Sequence, residues 1–305
     1  MNAHIPGKPT PPKKDRREEA RESARIQREA QKKREKRNRW LLRGGIGLAL
    51  IAIAAIVAVI VVGSIKPPTP GPANMASDGI LMQGDGTTIS AVPTEATAPD
   101  AEPVPTDVSA LTDTVNIAVY LDYLCPYCNQ FEATNAEQLN SWLAAGNVTL
   151  EVHPISILDQ GSNGTKYSTR AANAASCVAN YQPDIFLDVN AALFANQPAE
   201  GTSGLTDAEL VSLVETAGVT DEAVATCITD QEFSDWVGTA TDRALNEPLP
   251  NSSLEKLTGT PTVIVQGEQY TGDLGDAAAF EAFVMELASA TANTGGETDA
   301  EAPAE

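Results

Sequence analysis

Two cysteines separated by two residues, Cys125-Pro126-Tyr127-Cys128, are the strongest chemical signal in this chain. A thiolate with a second thiol one turn away is the chemistry of thiol–disulfide exchange. Two other uses of such a pair stay open on residue type alone. It can be half of a zinc site, but a closed structural site takes four ligands. The remaining cysteines, Cys177 and Cys227, stand alone and the histidines are His4 and His153, so no metal is expected. A purely structural bridge is the other use, although so short a loop suits a labile bond better.

For one of these sulfurs to react, its surroundings must favour the thiolate. The run Thr114 to Leu121 is rich in β-branched and aromatic residues and predicts a buried strand. From Pro126 to about Ala145, the apolar residues Phe131, Leu139, Trp142 and Leu143 recur close to helical spacing. Pro126 suits the first helical position, because the N–H it lacks would have no intrahelical partner there. Cys125 is thereby predicted at a helix N-terminus, where free N–H groups and the helix dipole stabilise a thiolate.

Further along, Val148 to His153 predicts a second strand, followed by a mostly helical stretch from Lys166 to about Asn246. That stretch breaks at Pro183, at Gly201 to Gly204 and at Gly218, with N-caps expected in Thr206–Glu209 and Thr220–Ala223. Thr262 to Val265 reads as a strand, Gln269 to Thr271 as its short partner, and Asp276 to Ala288 as a closing helix. The expected order is βαβ, a helical insertion over about 165–247, then ββα.

Charge and hydropathy divide the chain. Residues 44–65 carry no charge, and these 22 residues would span roughly 33 Å as a helix, enough for a bilayer core. The long basic region before them and the length of the apolar run fit an uncleaved signal anchor better than a cleaved peptide. Residues 1–43 have a net charge of +9 and residues 44–305 one of −30. The positive-inside rule then makes 1–43 a cytoplasmic basic arm, 44–65 one transmembrane helix, and the acidic remainder extracytoplasmic. All four cysteines fall on the outer side, where disulfides persist. The acidic balance argues against a nucleic-acid partner. Residues 66–112 read as a Pro-rich linker with a hairpin at 79–92 packed at the domain edge, 113–290 as one α/β domain, and 291–305 as a disordered acidic tail.

With this element order, four segments resemble the thioredoxin superfamily, and within it the DsbA-like exported disulfide oxidoreductases of actinobacterial type. They are Tyr120 to Cys128, Gln130-Phe131-Glu132, the helical stretch between the second and third core strands, and Gly259-Thr260-Pro261-Thr262. The resemblance implies a thioredoxin fold with an inserted helical subdomain, here preceded by the membrane helix. It implies a catalytic Cys125 with an exposed, low-pKa sulfur, and Cys128 as the buried resolving thiol. It further implies a cis bond before Pro261, with Thr260 pairing its backbone with substrate. Pro126 and Tyr127 would modulate the Cys125 sulfur, and this dipeptide is similar to the glutaredoxin pair. Where relatives carry a buried acid, this chain has Val119; Asp122 is the nearest carboxylate, read either as its substitute or as an exposed turn acid.

An even cysteine count in an oxidising compartment, together with similar bridges in actinobacterial relatives, suggests a structural disulfide between Cys177 and Cys227. Two free thiols or a second redox pair are the alternatives. His153 is expected to be a packed strand-end residue. The implied activity is introduction of disulfides into exported cysteine-containing proteins, with no cofactor and a quinone-linked membrane partner as re-oxidant. A reductase or isomerase using the same pair, and a non-catalytic binding module on the same scaffold, are the competing readings. The charge split predicts that protease added to spheroplasts degrades the acidic domain and spares the basic arm; full protection of the domain would reverse the topology.

Overall fold

The computed structural model describes residues 18, 21–38, 40, 69–99, 101–111 and 114–295, without side chains beyond 290. The 44–65 segment lies outside the described residues, as do most of the linker's first residues and 296–305. Among the described residues, no helix is long and apolar enough to cross a membrane. Contacts divide the chain into Met1–Pro67 and Pro68–Glu305. In the first unit residues 21–38 are helical and almost wholly exposed, as expected of a segment without an apolar face.

The second unit is built on a six-stranded sheet. Its strands are β1 (Ile80–Gly84), β2 (Ile89–Ala91), β3 (Val115–Leu121), β4 (Val148–Pro154), β5 (Thr262–Val265) and β6 (Glu268–Gln269), in the order β2-β1-β4-β3-β5-β6. The β3–β4 pair is parallel, joined by helix α1 (Pro126–Ala144); β5 lies antiparallel to β3 on its other side. Ile117, Val119 and Leu121 of β3 and Val148, Leu150 and Val152 of β4 belong to the main core cluster. Their period of two puts them on one face of the sheet. Phe131, Leu139 and Leu143 of α1 join that cluster with Phe280 and Val284 of the last helix, α7 (Ala277–Gly295). Phe131 meets Phe280 edge-on at 5.2 Å.

Five helices fill the span between β4 and β5: α2 (Tyr167–Tyr181), α3 (Phe186–Ala195), α4 (Asp207–Thr216), α5 (Glu222–Asp230) and α6 (Ser234–Asn246). The expected breaks coincide with the gaps after α2, α3 and α4. Thr206 caps α4 in a reciprocal box with Glu209, and Asp221 rather than Thr220 caps α5. Helix α2 is enclosed on nearly all sides. Its Ala171, Ala172, Ala174, Ala175 and Ala179 are fully buried, and these small side chains let the neighbouring helices approach. An S–S bond links Cys177 on α2 to Cys227 on α5, with Cα atoms 5.8 Å apart.

Residues 69–111 differ from the linker expected of them. The 79–92 hairpin extends the central sheet, β1 pairing along β4 from Ile80↔Val152 to Gln83↔Thr149. Asp78 receives a two-bond clamp from Arg243 of α6 at 2.7 and 2.6 Å, and Asn74 donates to Ala179 O at 2.8 Å. Proline and acid content suggested a spacer, but Ile80, Leu81 and Met82 form a short apolar run, all buried, of the kind a covered strand needs. Gly84 lies so close to α1 that a Cβ there would stand 1.7 Å from the Leu143 carbonyl oxygen. Gly238, inside α6, has nothing within 4 Å of its Cβ position. Gly84→Ala should therefore lower stability by about 1–3 kcal/mol through overpacking. Gly238→Ala should raise it by about 0.5–1 kcal/mol through helix propensity. Thermal unfolding of the two variants checks both signs.

Candidate active site

The site forms where β3 ends and α1 begins. Cys125 is the N-cap of α1 with an extended backbone (φ −76°, ψ 117°), and Pro126 takes the first helical position. The turn before it is closed by Cys125 N–H donating to Asp122 O at 2.9 Å. β5 begins on the neighbouring strand position, with Tyr120 opposite Thr262. This register carries the Thr260–Pro261 peptide, which is cis, against the first cysteine. Cys125 Sγ lies 3.2 Å from Thr260 O. Residues 135 apart in sequence thus meet at one sulfur.

Both Cys125 and Cys128 are free thiols, and both are buried, at 4% and 2% exposure. The Cys125 sulfur is therefore more covered than expected, because the Thr260–Pro261 loop lies on it, while Tyr127 beside it is 63% exposed. The hydrogen bond shared with Cys128 lowers the Cys125 thiol to about 6, helped by Thr260 and by the N–H groups of Cys128 and Tyr127. Burial opposes this and loses. Cys128 moves the opposite way: burial, its bond to Cys125 and the Cys125 charge push its thiol well up. The opposed shifts make Cys125 the more readily ionised of the two thiols.

Asp122 is not an exposed turn acid. It is fully buried, and its carboxylate accepts from Leu124 N at 2.8 Å and Leu158 N at 2.9 Å. Burial raises it to about 6 against those bonds, and the Cys125 charge adds to the rise. A second acid, Glu132, stands one turn after Cys128 and is half-buried; burial lifts it to about 7, opposed by a bond with the Asn190 side chain. Its four-residue offset from Cys128 is a sequence signal that could have placed it on the same helix face. Tyr123, fully buried, donates to Asn190 Oδ1 at 3.0 Å. Asn129 and Gln197 also reach the cysteine loop, and no local sequence pattern pointed to Gln197.

His153 lies away from the cysteines, on the opposite face of the sheet. It is buried, stacks on Tyr120 at 4.2 Å, and approaches Glu151 at 3.7 Å. Burial pushes Glu151 up, but His153 and the hydroxyls of Ser77 and Thr106 outweigh it and hold the carboxyl below its usual value. Among the described residues, no three His, Cys, Asp or Glu side chains gather as a metal site.

A six-stranded sheet with a dithiol at a helix N-terminus and a cis-proline loop against it defines a thioredoxin-like protein. A family model described as thioredoxin matches residues 112–285, and the chain belongs to that family. The structure resembles reduced DsbA of Mycobacterium tuberculosis, with 26% identity, a TM-score of 0.51, and coverage of 71% of this chain and 98% of that one. It also resembles reduced DsbG, described as a disulfide bond oxidoreductase, of the same species: 26% identity, TM-score 0.52, coverage of 74% and 96%. The serine/threonine-protein kinase PknE of M. tuberculosis (strain H37Rv) is 32% identical over 151 residues, 48% of this chain and 26% of that protein. The chain thus spans about a quarter of the length of the curated relatives it matches.

The opposed thiol shifts give a pH test. Alkylation of the reduced protein should modify Cys125 selectively at pH 7 and slow as pH falls through about 6. Because this thiol is lowered from its unfolded value, the reduced form should gain stability as pH rises from about 6 towards 9. Peptide mapping of the label and denaturant unfolding across that window check both; a flat profile would contradict the assignment.

Proposed function

We propose that this protein is a thiol:disulfide oxidoreductase of DsbA type, anchored by residues 44–65 and working outside the cytoplasm, where it introduces disulfides into exported cysteine-containing proteins. The observation that carries the reading is the Cys125 sulfur, set at the N-terminus of α1 and 3.2 Å from Thr260 O beside the cis-proline. The likeness to DsbA and DsbG at 26% identity supports the same chemistry.

In the oxidising direction the pair begins as a Cys125–Cys128 disulfide. A substrate thiolate attacks Cys125 Sγ, the Cys125–Cys128 bond breaks, and Cys128 leaves with the electron pair and takes a proton. A second substrate thiolate then attacks the substrate sulfur of the mixed disulfide and expels Cys125 as a thiolate. The substrate dithiol is oxidised and the enzyme pair reduced, with two electrons transferred. Thr260 would offer its backbone to the extended substrate chain, and exposed Tyr127 would form the rim. A quinone-linked membrane partner would accept the electrons and restore the disulfide.

The lowered Cys125 thiol favours this direction, because stabilising the thiolate stabilises the reduced pair and makes the disulfide a stronger oxidant. A binding module on the same scaffold would have no need of such a shift. Cys125→Ser should abolish exchange with a reduced, unfolded substrate, and Cys128→Ser should accumulate a mixed disulfide at Cys125. The reduction potential decides direction: a value near about −120 mV marks an oxidase and one near about −270 mV a reductase. Full activity of Cys125→Ser would end the proposal.

A further inference from the structure

The backbone of the cysteine loop is also held from the helical insertion. Gln197, just beyond the end of α3, donates from Nε2 to Tyr123 O at 3.1 Å and to Cys125 O at 2.9 Å. Its Oε1 accepts from Asn129 Nδ2 at 3.2 Å, and the same Asn129 nitrogen donates to Phe194 O at 2.8 Å. Both N–H groups of each amide are therefore used, and the Gln197 carbonyl is used as well. The two oxygens that Gln197 holds lie on either side of Leu124. One of them, Cys125 O, also accepts the first intrahelical bond of α1, from Asn129 N–H at 3.2 Å.

Resting on the reading of Cys125 and Cys128 as a redox pair, we propose that Gln197 is a positioning residue through which the helical insertion sets the reactivity of Cys125. By fixing the peptide planes at and before the N-cap, it keeps the N–H groups of Tyr127 and Cys128 aimed at the Cys125 sulfur. A thiolate at an N-cap depends on that aim, since the helix-terminal field falls off within the first turn. The Gln197 N–H dipoles, directed into the loop, add to the same field. Without the amide, Tyr123 O loses the Gln197 donor and Cys125 O keeps only the Asn129 N–H; the cap peptide is held less firmly, and the thiolate loses part of its stabilisation.

The test compares Gln197→Ala and Gln197→Glu with Gln182→Ala in the full-length protein. Glutamate keeps the shape and the acceptor for Asn129 but cannot donate to the two carbonyls. Gln182 offers a matched control: its side chain holds Thr220 N and Asp221 N at 2.9 and 3.1 Å within the insertion, and no bond to the cysteine loop is among its contacts. Measured by thiolate absorbance and alkylation rate against pH, both Gln197 variants should raise the Cys125 pKa. One net hydrogen bond is worth about five-fold in the ionisation constant, so alkylation should fall about three-fold at pH 6 and approach about five-fold at lower pH. The reduction potential should become more negative by the corresponding amount, and Gln182→Ala should change neither. A lowered melting temperature with unchanged pKa and potential would leave Gln197 a merely structural residue and overturn the proposal. So would equal shifts in Gln182→Ala, or failure of both Gln197 variants to fold. Labelling that avoids Cys125 in the unaltered protein would overturn the redox reading itself, and the proposal with it.

Discussion

The antiparallel pairing of β3 with β5 is the constraint on which the site depends. Cys125 follows β3 by four residues and Pro261 precedes β5 by one, and only the register Tyr120↔Thr262 brings the two segments to the same end of the sheet. A slip of one residue would move Thr260 by roughly 3.3 Å along the strand and turn its side chain to the other face. The apolar alternation prevents this: Val263 and Val265 must face the helices with Ile117 and Val119, so sliding would bury Thr262 and Ile264 on the wrong sides. Core packing and sulfur geometry are therefore enforced by the same pairing.

The insertion completes what the sheet starts. The sheet delivers Cys125 to the helix N-terminus, but the loop between Leu121 and Pro126 has no strand partner of its own. It is fixed by side chains instead: Asp122 binds the N–H groups of Leu124 and Leu158, and Gln197 binds the carbonyls of Tyr123 and Cys125. Donors and acceptors of one short loop are thus satisfied from two different directions. The Cys177–Cys227 bond ties α2 to α5 deep in the insertion, remote in its bonding from this loop. Its place among the fully buried alanines of α2 shields it from solvent.

What could be read from the sequence follows the range of the interactions involved. The strand before Cys125, the proline-started helix and the Thr206 cap are local patterns, and each is present where the pattern placed it. The Gly-Thr-Pro segment was legible because a resemblance, not its own chemistry, gave it meaning. The sequence around Asp122 left its burial open, and one N–H that its carboxylate accepts comes from Leu158, 36 residues away. Gln197 acts at a distance of 72 residues from Cys125, and an isolated glutamine after a helix carries no pattern at all. The 79–92 hairpin and its packing at the domain edge were legible, but its strand partner was not, because β4 carries a polar row of Thr149, Glu151 and His153 that gives no sign of a strand paired on each side.

The electrostatic character of the site follows from the same economy of charge. From residue 69 to 290 the chain holds four cations, Lys166, Arg170, Arg243 and Lys256. Two of these are engaged elsewhere, Arg170 with Asp207 and Arg243 with Asp78. The leading contributions that lower Cys125 are hydrogen bonds: from the Cys128 thiol, the Thr260 side chain, and backbone N–H groups of α1. Fixed dipoles at van der Waals distance are screened far less by salt than exposed ion pairs are. A thiolate stabilised in this way keeps its reactivity across wide changes of ionic strength. It also makes the pair sensitive to the orientation of a few peptide planes, and so places control of the chemistry in the loop that holds them.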